Sequence, residues 1–305
     1  MKRIGIIGVG LLGSAVASRL LQGKFRVKGY DTRPAQLQLL QAQGLIAASS
    51  LAEVAVDSDA LFTILPSLEA VEATILGPGG LVESAPRGCT LIQMSTISPE
   101  LTRRLAAAAS AGGLGFLDTP MSGTSAMVEG GDCVIFVAGD RGRAEVCQPI
   151  FDVIASRTHY VGDAGMASLA KLATNLLVGL NTAALAEALV LGAKGGLAPG
   201  VLVEILKESA GASKMLDVRG PLMVNRRFDA QMKIDLFLKD FKLMLEEGLR
   251  LGVPLPLTSV AQQLTTATAA AGRGDEDLAA IVTTFELLAG LERNRSKKMT
   301  EAQNV

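Results

Sequence analysis

The sequence predicts an α/β fold: an N-terminal doubly wound sheet, then an all-α domain built on one long interdomain helix. Three observations carry this prediction. Short apolar runs alternate with helical patterns through the first half of the chain, the order that gives a mostly parallel sheet covered on both faces. A glycine-rich turn joins the first run to the first helix. After Gly165 only helical periodicity remains. The boundary is placed near Gly162–Gly165, giving domains 1–163 and 164–305.

The strands are predicted near 3–8, 26–30, 59–65, 90–94, 115–118, 133–138 and 158–161, each a short apolar run. Helical spacing covers about 11–22, 34–43, 68–75, 99–111 and 141–154, then 166–195. Ser98-Pro99-Glu100 is a helix start, with an N-cap, a proline at the first position and an acid in the first turn. The polar stretch from Arg293 onward is expected to fray.

The most informative segment is the first one. An apolar run from Arg3 ends in Gly8-Val9-Gly10-Leu11-Leu12-Gly13, a helical stretch follows, and a second run closes at Tyr30-Asp31. This is the strand–turn–helix–strand order of a Rossmann dinucleotide site. Gly8 permits the tight turn, Gly10 lets a pyrophosphate approach the backbone, and Gly13 lets helix and strand pack closely. The helix N-terminus offers N–H groups and a partial positive charge to the phosphates. Asp31 stands where a carboxylate accepts hydrogen bonds from ribose hydroxyls and repels a 2′-phosphate, which favours NAD over NADP. Thr32 and Arg33 follow on the same turn, and Arg33 either stacks on adenine or pairs with a 2′-phosphate. Asp31-Thr32-Arg33-Pro34 also reads as a helix start, so Asp31 has a second reading as an N-cap.

Composition narrows the remaining classes. The 305 residues suffice for two domains; 49% are hydrophobic and 19% charged, as in a globular chain. A net charge of −1 argues against a nucleic-acid partner. The first apolar run breaks at Gly8, so it does not read as a signal peptide. Residues 176–191 are rich in Leu and Ala but carry Asn181 and Glu187, and read as a buried helix, with no membrane partner. Cys89, Cys133 and Cys147 form no C-x-x-C pair and fit buried thiols in a reducing cytoplasm; no metal is expected. The one histidine, His159, lies outside any motif, so the proton carrier is sought elsewhere.

That search ends in the long helix. Lys171 sits among Leu and Ala, with no other charge before Glu187. Positions 171, 175, 179 and 182 (Lys, Asn, Gly, Thr) make one narrow polar or small stripe at 3.6-residue spacing. A buried ammonium is costly and its pKa falls, which suits it to proton transfer near neutral pH. Asn175 lies one turn along the same face. The plainer reading of Lys171 is a side chain snorkelling at a domain edge.

Together the motifs resemble the β-hydroxyacid dehydrogenase family, whose members include 3-hydroxyisobutyrate dehydrogenase, tartronate semialdehyde reductase and, more distantly, 6-phosphogluconate dehydrogenase. The resemblance runs from Ile4 to about Gly290. Besides Gly8–Gly13 it rests on Asp118-Thr119-Pro120-Met121-Ser122-Gly123-Thr124, similar to D-x-P-V-S-G-G. It rests also on Gly162-Asp163-Ala164-Gly165 with Lys171 and Asn175, and on Leu238-Lys239-Asp240 with Gly252-Val253-Pro254-Leu255-Pro256. Leu65-Pro66 and Ser95-Thr96-Ile97-Ser98-Pro99 add two shorter matches. The resemblance implies an NAD(P)-dependent enzyme that moves a hydride between its cofactor and a small 3-hydroxy acid or its semialdehyde. It implies Lys171 as the acid/base and Ser122, Gly123, Thr124 and Asn175 around the substrate carboxylate and hydroxyl. Thr96 and Lys239 would approach the nicotinamide, and Leu65 and Pro66 would line the cofactor's path.

Three departures bear on this reading. Thr124 replaces a glycine, Met121 replaces a valine, and Gln93 stands where relatives often have Asp. Met121 and Thr124 are expected to border the pocket and to influence substrate choice. Arg219 is expected at the surface or an interface, with an anionic substrate as its other possible partner. Imine reductases share the architecture but tend to replace the lysine, and a non-catalytic NAD-binding protein has no need of a charge on a buried face. The Leu- and Ala-rich helices of the second half suggest a homodimer or homotetramer.

Overall fold

The computed structural model describes residues 2–291. Its strands are β1 (Arg3–Ile7), β2 (Arg26–Tyr30), β3 (Ile46–Ala47), β4 (Ala60–Thr63), β5 (Thr90–Gln93), β6 (Gly115–Asp118), β7 (Met121–Ser122), β8 (Val134–Gly139) and β9 (Arg157–Gly162). They form one sheet in the order β3-β2-β1-β4-β5-β6-β8-β7, with β9 beside β8. From β3 to β6 every pairing is parallel. β8 runs antiparallel to β6 and β7 and parallel to β9. The strand order reverses between β1 and β4, the switch point at which open α/β sheets bind ligands.

The helices are α1 (Leu11–Gln22), α2 (Ala35–Gln41), α3 (Leu51–Ala55), α4 (Leu68–Leu76), α5 (Leu81–Ser84), α6 (Pro99–Ala111), α7 (Ser125–Glu129) and α8 (Arg141–Ile154). After them come α9 (Met166–Lys194), α10 (Pro199–Lys207), α11 (Lys214–Asn225), α12 (Ile234–Leu251), α13 (Pro256–Thr268) and α14 (Val282–Leu288). The predicted strands and longer helices all form, close to their expected bounds. β3, β7, α3, α5 and α7 were not anticipated. They span two to five residues, too few for a periodicity to register.

Alternation along the parallel strands builds two cores. Ile4, Ile6, Phe62, Ile92 and Leu117 face α1, α2 and α8 on one side. Ile7, Leu61, Leu91 and Phe116 face α3 to α6 on the other. Strands buried on both faces must be apolar throughout, which is why they read as continuous runs. Ser98 caps α6 by accepting a hydrogen bond from Leu101 N–H, as its sequence predicts. Helix α2 begins at Ala35 with Pro34 as its N-cap, so Asp31 does not cap it. All three cysteines are buried, and burial pushes their thiols up, Cys89 to about 12 and Cys133 and Cys147 to about 11.

The chain divides into two compact units, Met1–Thr174 and Asn175–Val305, and α9 runs continuously through the division. Among the described residues the second unit is helical, with a single isolated bridge between Lys233 and Asp277. Phe237 and Phe241 of α12 meet edge to face at 5.0 Å, and Gly179 of α9 lies against both rings. The burial expected for 176–191 holds for one side of α9 only: Leu177 and Leu191 are exposed while Thr182, Leu185 and Ala186 are buried. Among the described residues α9 is the one helix long and apolar enough to cross a membrane. The terminal stretch from Arg293 lies outside the described residues.

Arg219 corrects its expectation: it is 3% exposed, not a surface residue. Its Nε donates to Asp277 Oδ1 at 3.2 Å, and Asp277 also accepts from the backbone N–H groups of Gln231, Met232 and Ala279. The sequence could not show this, because the partner lies 58 residues away. One carboxylate thereby ties α11, the segment before α12 and the turn before α14 together. Breaking a buried pair from one side leaves the other charge unpaired, at about 3–5 kcal/mol. Asp277→Ala is therefore expected to lower the unfolding free energy by that amount in a urea titration, whereas an exposed pair such as Arg141–Glu145 contributes little when broken.

Candidate active site

The loops that follow the parallel strands leave one edge of the sheet, and the predicted residues of the first unit gather there. After β1, Gly8 adopts φ +89° and donates its N–H to Tyr30 O. A Cβ on Gly8 would fall 2.2 Å from Ile64 O, and one on Gly13 would fall 2.0 Å from Gly8 O. Both positions therefore require glycine for packing within the protein. Gly10 differs: the nearest atom to a Cβ there is Arg33 Nη2, at 4.0 Å. Its missing side chain leaves open a cradle over the start of α1. No side chain caps α1, so the N–H groups of its first turn could receive an anion. Leu11 and Leu12 open that helix, Leu11 exposed and Leu12 half-buried.

Asp31 stands at the end of β2, its side chain 8% exposed. Oδ2 accepts from Val9 N–H at 2.9 Å and Oδ1 from Arg33 N–H at 2.8 Å. The carboxylate thus fixes both the glycine loop and its own turn. Arg33 Nε lies 3.7 Å from Oδ1, with the guanidinium largely exposed, and Thr32 is exposed beside it. Open cradle, uncapped helix start and seated acid fit a dinucleotide.

Between β4 and β5 a small relay sets the next loops. The fully buried Gln93 donates from Nε2 to Ser95 O and accepts from Ser95 N–H at Oε1. Ser95 Oγ in turn accepts from Leu65 N–H at 2.8 Å. Leu65-Pro66 and Ser95-Thr96 are therefore held together. An aspartate at 93 has no N–H to offer Ser95 O, which gives this departure a physical purpose.

At the end of β6 sits Asp118, fully buried. Oδ2 accepts from the N–H groups of Gly165 (3.1 Å) and Ser168 (2.8 Å), and Oδ1 accepts from Ser168 Oγ (2.8 Å). Ser168 Oγ also meets Thr102 Oγ1 of α6 at 2.8 Å. This carboxylate seats the N-terminus of α9 on the sheet edge, and Lys171 follows one turn later. Burial raises its carboxyl to about 6, outweighing the hydrogen bonds that oppose the shift. Asp118 belongs to the loop motif but was not singled out as a site residue. The available signal was an acid at a strand end matched by a Ser at a helix start.

The stripe on α9 forms as its spacing predicts: Lys171, Asn175, Gly179 and Thr182 are all buried. Asn175 Nδ2 donates to Asp240 Oδ2 at 2.7 Å. Asp240 Oδ1 lies 3.2 Å from Lys239 Nζ, close enough for an ion pair though misaligned for a hydrogen bond. Asp240 is 4% exposed, so Lys239-Asp240 is no solvated helix face.

The loop after β6 changes one expectation. Met121 is 3% exposed and packs in the core, because the alternation of β7 turns it inward and Ser122 outward; it does not border a pocket. Thr124 caps α7, its hydroxyl accepting from Met127 N–H. Ser122, Gly123 and Thr124 are half-buried on the turn between them.

A sheet with this switch point, glycine cradle and strand-end acid has the features of a dinucleotide-binding domain. A family model described as the NAD binding domain of 6-phosphogluconate dehydrogenase matches residues 3–162, and one described as "NAD-binding of NADP-dependent 3-hydroxyisobutyrate dehydrogenase" matches 165–285. The chain is 36% identical to 2-(hydroxymethyl)glutarate dehydrogenase of Eubacterium barkeri, over 95% of this chain and 96% of that one. It is 31% identical to 2-hydroxy-3-oxopropionate reductase of Escherichia coli, over 94% and 98%. The crystal structure of 3-hydroxyisobutyrate dehydrogenase from Salmonella typhimurium superposes with a TM-score of 0.85 at 30% identity, covering 92% of this chain and 98% of that one. The chain belongs to the β-hydroxyacid dehydrogenase family. It is an NAD(P)-dependent oxidoreductase acting on the CH–OH group of small hydroxy acids.

Two tests follow from the geometry. Gly10→Ala meets no atom of the protein and should fold with unchanged stability while losing cofactor affinity; Gly13→Ala should lose both. Thermal unfolding and cofactor fluorescence titration separate the two. For Asp118, the folded chain keeps a proton that the unfolded chain has released between its ordinary value near 4 and about 6. Stability should therefore fall as pH rises through that window, by about 3 kcal/mol in all. Denaturation curves from about pH 4 to 7 should show this slope in the wild type and not in Asp118→Asn.

Proposed function

We propose that the enzyme oxidises a small 3-hydroxy acid, or reduces the matching semialdehyde, with Lys171 as general acid/base and NAD as the preferred cofactor. The observation that carries this is Lys171 itself, a lysine 8% exposed, one turn beyond the α9 start that Asp118 seats, at the head of a buried polar stripe.

In oxidation the neutral Lys171 amine accepts the proton of the substrate hydroxyl as the carbinol carbon loses its hydride. In reduction the Lys171 ammonium returns a proton to the new alkoxide oxygen. A nicotinamide cofactor held there would supply the hydride acceptor or donor. Ser122, Gly123 and Thr124 hold the substrate carboxylate through hydroxyl and backbone N–H groups, and Asn175 holds its hydroxyl oxygen. Gly8 to Gly13 receive the pyrophosphate, Asp31 the ribose hydroxyls, and Leu65, Pro66, Thr96 and Lys239 the nicotinamide half. The preference for NAD rests on Asp31: its carboxylate is fixed by two backbone N–H groups and stands against a 2′-phosphate. Arg33 pairs with that carboxylate, which supports a neutral ribose site.

We place the enzyme in the cytoplasm as a homodimer or homotetramer. Supporting the assembly, Leu191, Leu197, Val201 and Ile205 expose apolar side chains on α9, α10 and the turn between them.

The deciding experiment is a steady-state screen with NAD and NADP. Its acids are 3-hydroxyisobutyrate, 2-(hydroxymethyl)glutarate, glycerate, threonate, 4-hydroxybutyrate and 6-phosphogluconate. Lys171→Ala should lose about 10²–10⁴-fold in kcat while cofactor binding survives. An unchanged rate in that variant removes Lys171 from the mechanism.

A further inference from the structure

We infer that Asp240 is a positioning residue that fixes which end of the Asn175 amide serves the reaction, making its carbonyl oxygen the acceptor for the Lys171 amine. This rests on the acid/base role proposed for Lys171. The two ends of an asparagine amide have nearly the same shape and opposite chemistry, so a site that uses one end must exclude the other.

In this chain the choice is made by α12. Asp240 Oδ2 lies 2.7 Å from Asn175, and both side chains are buried. A carboxylate offers only acceptors, so the end of Asn175 that meets it must be the NH2 group. The bond is charge-assisted and stronger than one between neutral groups. Lys239, 3.2 Å from the other oxygen, offsets the buried charge.

With Nδ2 committed to α12, Asn175 keeps Oδ1 and one N–H for the stripe it shares with Lys171. The lysine carries N–H groups in both of its protonation states and so always meets a carbonyl oxygen favourably. A reversed amide sets donor against donor. Held at one N–H by Oδ1, the neutral amine has its lone pair directed to the substrate hydroxyl, whose oxygen takes the remaining Asn175 N–H. Asp240 thus acts at one remove from the proton transfer, through the orientation of Asn175.

The test uses the full chain, as wild type, Asp240→Ala, Asp240→Asn, Asn175→Ala and the Asp240→Ala/Asn175→Ala double variant. With the acid found by the substrate screen, Asp240→Ala should lower kcat by about 10- to 100-fold with KM nearly unchanged. Asp240→Asn, which keeps an acceptor oxygen, should recover part of that loss. In the Asn175→Ala background, removing Asp240 should cost nothing further. Additive losses, or a loss confined to cofactor affinity, overturn the proposal. A second readout is independent of turnover. In protein labelled with nitrogen-15 asparagine, the Asn175 side-chain amide is assigned by its disappearance in Asn175→Ala. Its two protons should be widely separated in the wild type and converge in Asp240→Ala; an amide signal indifferent to that substitution overturns the proposal. A wild type that turns over no acid counts against the proposed function, and the amide signal then decides this inference alone.

Discussion

The placement of α9 depends on one carboxylate at the end of the parallel sheet. Asp118 ends the last parallel strand and receives the first turn of α9 through two N–H groups and a hydroxyl. A helix start has unpaired donors and a positive end, so an acid is its natural seat. The seat is buried, and burial works against the charge that makes it effective. The protein tolerates this tension because the bonds fix both the height and the rotation of α9. Rotation matters most: the polar stripe is one residue wide, and a turn of about 100° per residue would move Lys171 off its face. Thr102 extends the same network to α6, so the loop carrying Thr96 and the helix carrying Lys171 share one anchor.

The glycine loop shows a similar economy, in which each glycine answers a different constraint. Gly8 and Gly13 are fixed by the protein's own backbone, and Gly10 faces open space. Only Gly10 is explained by a ligand. Asp31 joins the two functions, since its bond to Val9 N–H shapes the loop while its place at the end of β2 suits a ribose. A fold stabilised by its own packing therefore presents a phosphate cradle before any cofactor arrives, which lowers the ordering cost of binding.

How far the sequence reaches is clear from particular residues. The parallel strands were legible because burial on both faces leaves continuous apolar runs, and α9 because a lysine interrupts a long apolar helix. The stripe of 171, 175, 179 and 182 followed from helical spacing alone. What lay beyond reach were pairings between distant segments. Arg219 and Asp277 look like ordinary surface charges until the fold joins them. Met121 belongs to a strand of two residues, too short to reveal which side faces inward. Asp118 and Asp240 were visible as motif letters, but their work consists of the bonds they accept, and those are set by tertiary structure.

The polar stripe of α9 connects these points. Along most of a soluble helix, polar residues face water and apolar ones face the core. Here Lys171, Asn175 and Thr182 are buried together with Leu172, Leu185 and Leu189, while Leu177 and Leu191 are exposed. Thr182 satisfies its hydroxyl within the helix, on Val178 O. Asn175 needs a partner from elsewhere and finds Asp240. Each step along the stripe therefore asks more of its surroundings, from a self-sufficient hydroxyl to an amide with a dedicated acid to a lysine. Neighbouring carboxylates hold two positions of this helix, Asp118 at its start and Asp240 at Asn175. The acids packed against α9 thus fix the face on which its buried polar stripe lies.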